Sequence, residues 1–158
     1  MYGSGLKIID LNLVPGSPDD PAAPIDFQFR PDGRELFVVD SFDDVINVYE
    51  VTGSNAYDIH ALKWKYQWTP SYVNTLGDSS YSFEINQQGS EMLFVGNNND
   101  LFQYSLKKPW DLRTARTKGY LFNISGSGET SPLSVNYKPD QTGFYILGST
   151  LDKIQIFN

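Results

Sequence analysis

The side chains best suited to chemistry fall into two groups. Trp64, Tyr66 and Trp68 alternate with Lys63, Lys65 and Gln67, so an extended strand would aim three rings to one side. Such a row could stack on sugar rings or anchor another protein; equally, it could pack between adjacent sheets. The second group is Asp43, Asp44, Asn98, Asp100 and Asp152, joined by Asp19, Asp20, Asn97, Asn99 and Glu129. Their oxygens suit Ca²⁺ if about six to eight converge. In tight turns the same side chains bond their own backbone and accept left-handed conformations. No EF-hand or glycine-aspartate nonapeptide spacing singles out calcium, so no metal and no cofactor is assigned.

Other chemistry is narrowed by what the chain lacks. With no cysteine among 158 residues, disulfides, zinc ribbons and thiol nucleophiles are excluded. A single histidine, His60, leaves no Ser-His-Asp set or histidine metal site within one chain. The carboxylate pairs Asp19-Asp20 and Asp43-Asp44 are sequence neighbours whose side chains point apart, unlike the separated acid pair of a glycosidase. Asn123-Ile124-Ser125 fits a glycosylation acceptor, and Gly126-Ser127-Gly128 lacks the lysine of a phosphate cradle. No catalytic residue is assigned, and the expectation is a protein that is not an enzyme. A net charge of −7 with only 12 Lys and Arg argues against nucleic acid and anionic membranes as partners. No run approaches the roughly twenty apolar residues of a membrane span, and the first residues lack signal-peptide features.

The elements that must position these side chains are set by an internal repeat of about fifty residues. Ile25-Asp26-Phe27-Gln28-Phe29-Arg30-Pro31-Asp32 aligns with Leu133-Ser134-Val135-Asn136-Tyr137-Lys138-Pro139-Asp140, and Tyr81-Ser82-Phe83-Glu84-Ile85-Asn86 fills the middle copy. Each copy continues through a turn (Pro31-Asp32-Gly33, Gln87-Gln88-Gly89, Pro139-Asp140-Gln141) into an apolar run, Leu36 to Val39, Met92 to Val95 or Phe144 to Leu147. An Asp- and Asn-rich turn and an alternating third strand follow. Copies one and two go on through Tyr57-Asp58-Ile59-His60-Ala61 and Trp110-Asp111-Leu112-Arg113-Thr114-Ala115 to fourth strands near Leu62 to Trp68 and Arg116 to Ile124. Tyr57 and Trp110, at matching places, are expected to pack, and Asp58 and Asp111 to cap their turns. The third copy stops at Asn158, while residues 6–14 supply a spare strand at the other end. The expected organisation is a single domain over 1–158: leading outer strand 6–14, repeat one 25–69, repeat two 81–124 and truncated repeat three 133–158.

An apolar strand, Pro-Asp-Gly, Phe-Val-Val, an Asp-rich turn, a strand ending in Tyr and then Trp110-Asp111-Leu112-Arg113-Thr114-Ala115 resembles the blade repeat of β-propeller proteins from bacteriophage (cyanophage-like) virions and bacterial surfaces. The resemblance implies an all-β chain of three four-stranded antiparallel blades. Three are fewer than the four to eight of closed propellers, so dimerisation to a six-bladed ring is expected, the N-terminal strand completing a blade. It further implies a virion structural protein of the tail, fibre or capsid surface, made in the host cytoplasm and docking on other virion proteins. The alternative is a carbohydrate-binding adhesin or lectin for host-surface glycans. The candidate ligand-binding residues are Trp64, Tyr66, Trp68, Asp43, Asp44, Asn98, Asp100 and Asp152.

Overall fold

The computed structural model describes residues 9–17, 23–71, 80–96 and 99–158. Among them, eleven strands form three antiparallel sheets in chain order. Blade one comprises β1 (Pro24–Phe29), β2 (Glu35–Asp40), β3 (Val45–Val51) and β4 (Leu62–Trp68). Blade two comprises β5 (Ser80–Ile85), β6 (Glu91–Gly96), β7 (Asp100–Leu106) and β8 (Ala115–Asn123). Blade three has β9 (Pro132–Tyr137), β10 (Phe144–Gly148) and β11 (Lys153–Phe157). Each sheet is a meander whose strands pair in sequence order.

The blades stack face to face, which explains why β2 and β6 are apolar runs instead of alternating: residues on both faces of these strands are covered. Between blades one and two lie Phe37, Val39, Ile46 and Val48 against Phe83, Ile85, Met92, Phe94, Phe102 and Tyr104. Between blades two and three lie Leu93, Val95, Leu101 and Ile124 with Val135 and Ile146. The outer face of blade one is lined by Leu36, Val38, Tyr49, Val51 and Leu62.

Two repeated latches close the blades at their lower turns. Gly33 and Gly89 adopt φ of 68° and 71°, and the rings of Tyr57 and Trp110 lie against them, so that a Cβ on Gly33 would sit 2.6 Å from Tyr57 Cδ2. The same aromatics give their own N–H groups to the glycine carbonyls, each at 2.9 Å. Glycine is required twice over, by the left-handed backbone and by the ring above it. Asp58 and Asp111 then cap the short 3-10 turns that follow, accepting from the N–H of His60 and of Arg113.

The leading segment departs from expectation. Residues 9–14 are not a strand: Asp10 accepts the Asn12 N–H at 3.0 Å and nucleates a 3-10 turn over Leu11–Leu13. Val14 is buried, and Ile9 and Leu11 pack beside it on the outer face of their own blade one. Residues 6–8 of the expected strand lie outside the described residues. Blade three accordingly has three strands here, with β11 at its edge.

Candidate functional site

The innermost strands β1, β5 and β9 contact one another in turn, and each alternates polar and apolar side chains. On β5 and β9 the apolar residues Phe83, Ile85 and Val135 enter the cores between blades, whereas Ile25 and Phe27 of β1 stay exposed. The polar set, Asp26 and Gln28, then Ser82 and Glu84, reaches across to the backbone of the next inner strand. Asp26 Oδ2 accepts from Ser82 Oγ at 2.7 Å and from the Phe83 N–H at 3.2 Å. Gln28 makes a two-way clasp, donating to the Ile85 carbonyl and accepting its N–H, both at 2.8 Å. One blade further on, Ser82 Oγ accepts the Val135 N–H at 3.3 Å and Glu84 accepts that of Tyr137.

Glu84 is the chemically distinctive member. Burial pushes its carboxyl above the ordinary glutamate range; the Tyr137 N–H pulls it back, and the Asp26 charge pushes it up again. A half-buried carboxyl with a raised pKa facing a second carboxylate is an arrangement common where proton transfer is needed. Neither residue stood out in the sequence. The available signal was the polar residue recurring at alternate positions of the repeated inner strand.

The residues that the sequence did single out are dispersed. Trp64, Tyr66 and Trp68 do not share a face, because β4 carries a bulge: Val48 pairs with Tyr66 and its neighbour Tyr49 with Trp64. The extra residue, Lys65, reverses the alternation. Trp64 therefore packs on the outer face of blade one, its indole N–H directed to Asn47 Oδ1 at 3.4 Å. Tyr66 and Trp68 pack into the joint between blades one and two. Trp68 meets Tyr104 edge-on at 5.2 Å, and the Tyr66 hydroxyl accepts the Leu112 N–H at 3.2 Å. Arg113 lies 4.6 Å over the Tyr66 ring, and burial foremost pushes the Tyr66 phenol up to about 12. Tyr66 and Trp68 join two blades while Trp64 faces the other way, so the three rings form no single row.

The acidic turn residues hold turns. Asp44, Asn99 and Asp152 occupy equivalent left-handed positions, with φ of 55°, 65° and 52°. The Asp43 N–H is tied to Asp40 Oδ1 at 3.3 Å, and Asp100 accepts from Asn123 Nδ2 at 2.7 Å. Asn97, Asn98, Asp19 and Asp20 lie outside the described residues. Among the described residues no three acidic or histidine side chains converge as a metal would need. Glu129 is buried and binds backbone: Ser131, Thr150 and Leu151 all donate N–H groups to it.

No protein-family model matches the chain, and no curated protein does. Solved structures do. A periplasmic gluconolactonase of Pseudomonas aeruginosa superposes with a TM-score of 0.63 at 15% identity, covering 89% of this chain and 37% of that one. A candidate 6-phosphogluconolactonase of Bacteroides uniformis gives 0.61 at 12%, over 85% and 36%. The β-propeller domain of Swd1 (Cps50) from Myceliophteria thermophila gives 0.56 at 18%, over 83% and 36%. The fold is that of a β-propeller, and the chain spans just over a third of the length of these structures. The expectation of a phage virion protein is overturned: the first of these neighbours carry lactonase names, an enzyme-related propeller fold and not a phage structural one. The lectin alternative gains no support from them either, and the expectation of a non-enzyme is weakened. At such low identity the likeness fixes the fold alone.

Proposed function

We propose that the inner-strand column around Asp26 and Glu84 binds a compact, uncharged, polyhydroxylated lactone and promotes its hydrolysis. The observation that carries the reading is the Glu84 carboxyl, half-buried between blades and raised by burial and by Asp26. Lactone-acting names among the propellers that superpose on the chain support the substrate class. Charge favours a substrate without phosphate: the column residues Asp26, Gln28, Ser82 and Glu84 include two acids and no cation, within a chain of net charge −7.

The chemistry asked of the column is modest. Glu84, when ionised, takes a proton from water as the oxygen attacks the lactone carbonyl. The ring C–O bond then breaks, and the proton passes to the departing alkoxide, giving the open hydroxy acid. A base raised above its ordinary pKa is the stronger acceptor.

The test is proton release from glucono-1,5-lactone, followed in a pH-stat. Wild type should exceed the buffer rate in proportion to protein concentration. Glu84→Gln, shown to be folded by near-ultraviolet circular dichroism, should lose about 10² to 10⁴ of that excess, the usual worth of a general base. A rate equal to buffer for the wild type, or one unchanged in Glu84→Gln, overturns the reading.

A further inference from the structure

We infer that the open face of blade three is a docking surface for blade one of a second copy of this chain, joined through the same clasp the chain already forms twice internally. This stands apart from the lactone reading and does not depend on it.

Strand pairing lines up equivalent rows across the blades. Blade one presents Gln28, Phe37 and Val48 in one row and Asp26, Val39 and Ile46 in the next. Blade two presents Glu84, Leu93 and Gln103, then Ser82, Val95 and Leu101. Blade three presents Asn136, Tyr145 and Ile156, then Ser134, Leu147 and Ile154. In blades one and two the polar member of each row grips the next inner strand, and the apolar members are sealed beneath the next blade. In blade three the same rows face outward: Leu147, Ile154 and Ile156 are 44%, 66% and 61% exposed. Ser134, Asn136, Tyr145, Leu147 and Ile154 line a groove of about 320 Å³. Exposed aliphatic rows flanked by clasp residues are half of a blade joint.

The other half lies at the far end of the same chain. What blade two offers to blade one is Phe83, Ile85, Met92 and Phe94; the equivalents in blade one are Phe27, Phe29, Leu36 and Val38, the last two already covered by Ile9, Leu11 and Val14 of the same copy, so that the leading segment forms part of the seat. Phe27 is 66% exposed and Ile25 45%. They border a groove of about 340 Å³ shared with Ile9 and Leu11. Ser134 would then take the partner's Phe27 N–H over from Asp26 Oδ1, which holds it at 2.8 Å within each chain, and Asn136 would clasp the backbone at the partner's Phe29, as Ser82 and Gln28 do within the chain. Because each copy carries one half of the joint at each end, two copies satisfy both halves and yield six blades, inside the range at which propellers close.

Two measurements decide it. Light scattering at micromolar concentration should give twice 17.8 kDa for wild type and a folded monomer for Leu147→Lys, with Asn136→Ala shifting the monomer-dimer midpoint at least tenfold. Since the chain has no cysteine, Ser134→Cys and Phe27→Cys variants can be mixed with a short bis-maleimide. The mixed pair should cross-link and neither variant with itself. A monomeric wild type, a dimer untouched by Leu147→Lys, or cross-linking of Ser134→Cys with itself overturns the proposal.

Discussion

Gly89→Ala tests the latch between the lower turn of blade two and Trp110. Gly89 sits at φ 71°, where a side chain costs about 1–2 kcal/mol. An added Cβ would fall 2.7 Å from Trp110 Cε2 and nearer still to Cδ1 and Nε1, so the indole must move. Trp110 is buried and packs 6.1 Å from Phe37 across the joint of blades one and two; overpacking of this kind costs about 1–3 kcal/mol. The expected loss is thus about 2–5 kcal/mol, read from urea unfolding followed by tryptophan fluorescence. Gln141 supplies the internal control, because it holds the same left-handed position at φ 60° in blade three. Its replacement by glycine relieves backbone strain and gives up one bond to the Lys138 carbonyl, so the change should stay within about 1 kcal/mol. In a Trp110→Ala background, Gly89→Ala should cost only the backbone share, about 1–2 kcal/mol. Equal costs in both backgrounds, or a Gly89→Ala protein as stable as wild type, would refute the latch.

The raised Glu84 carboxyl makes stability depend on pH. The fold prefers its protonated form, so that contribution is fully present below the ordinary glutamate range and is lost as pH rises through the folded value. Glu84→Gln keeps an acceptor for the Tyr137 N–H without the buried charge; it should melt above wild type near about pH 7, with the gap closing toward about pH 4. A gap independent of pH would contradict it. For Glu129, burial alone would raise the carboxyl, but N–H groups from Ser131, Leu151 and Thr150 and the Thr150 hydroxyl outweigh it and hold the carboxyl below its ordinary range. Its stabilisation is present above the ordinary glutamate range and is lost as pH falls through the lowered value. Glu129→Gln should lower the melting temperature at neutral pH and flatten its acid dependence; an unchanged melt would show that the carboxylate does not tie these loops.

The repeat, the strand order, and the packing of Tyr57 and Trp110 beside their Asp caps were legible because they rest on local chemistry, whereas the seating of those rings on Gly33 and Gly89 was not. Turns at residues 31–33, 87–89 and 139–141, apolar runs after them and Asp-capped turns before the fourth strands recur at fixed places. The alternation of Trp64, Tyr66 and Trp68 misled because a bulge is invisible to a period of two: one extra residue at Lys65 sends Trp64 to the opposite face. The leading segment misled for a related reason. Leu6 to Val14 has strand composition, but Asp10 bonding to Asn12 starts a turn, and burial of Val14 against Leu36 and Val38 competes with pairing at a distant edge. Asp26 and Glu84 were hidden by their setting, since a polar side chain on an alternating strand looks solvent-facing until the neighbouring blade is in place.

The clasps between blades also bear on how such a chain arises. Asp26, Gln28, Ser82 and Glu84 grip chiefly amide groups of the following strand, and amides are the same whatever residue carries them. Apart from the Ser82 hydroxyl, which Asp26 also holds, the receiving blade therefore needs no matched side chain. A duplicated or transplanted blade would meet its neighbour with the joint already satisfied, leaving only the apolar filling to adjust afterwards. Blade number can then drift by whole units wherever a neighbouring blade offers the same amides.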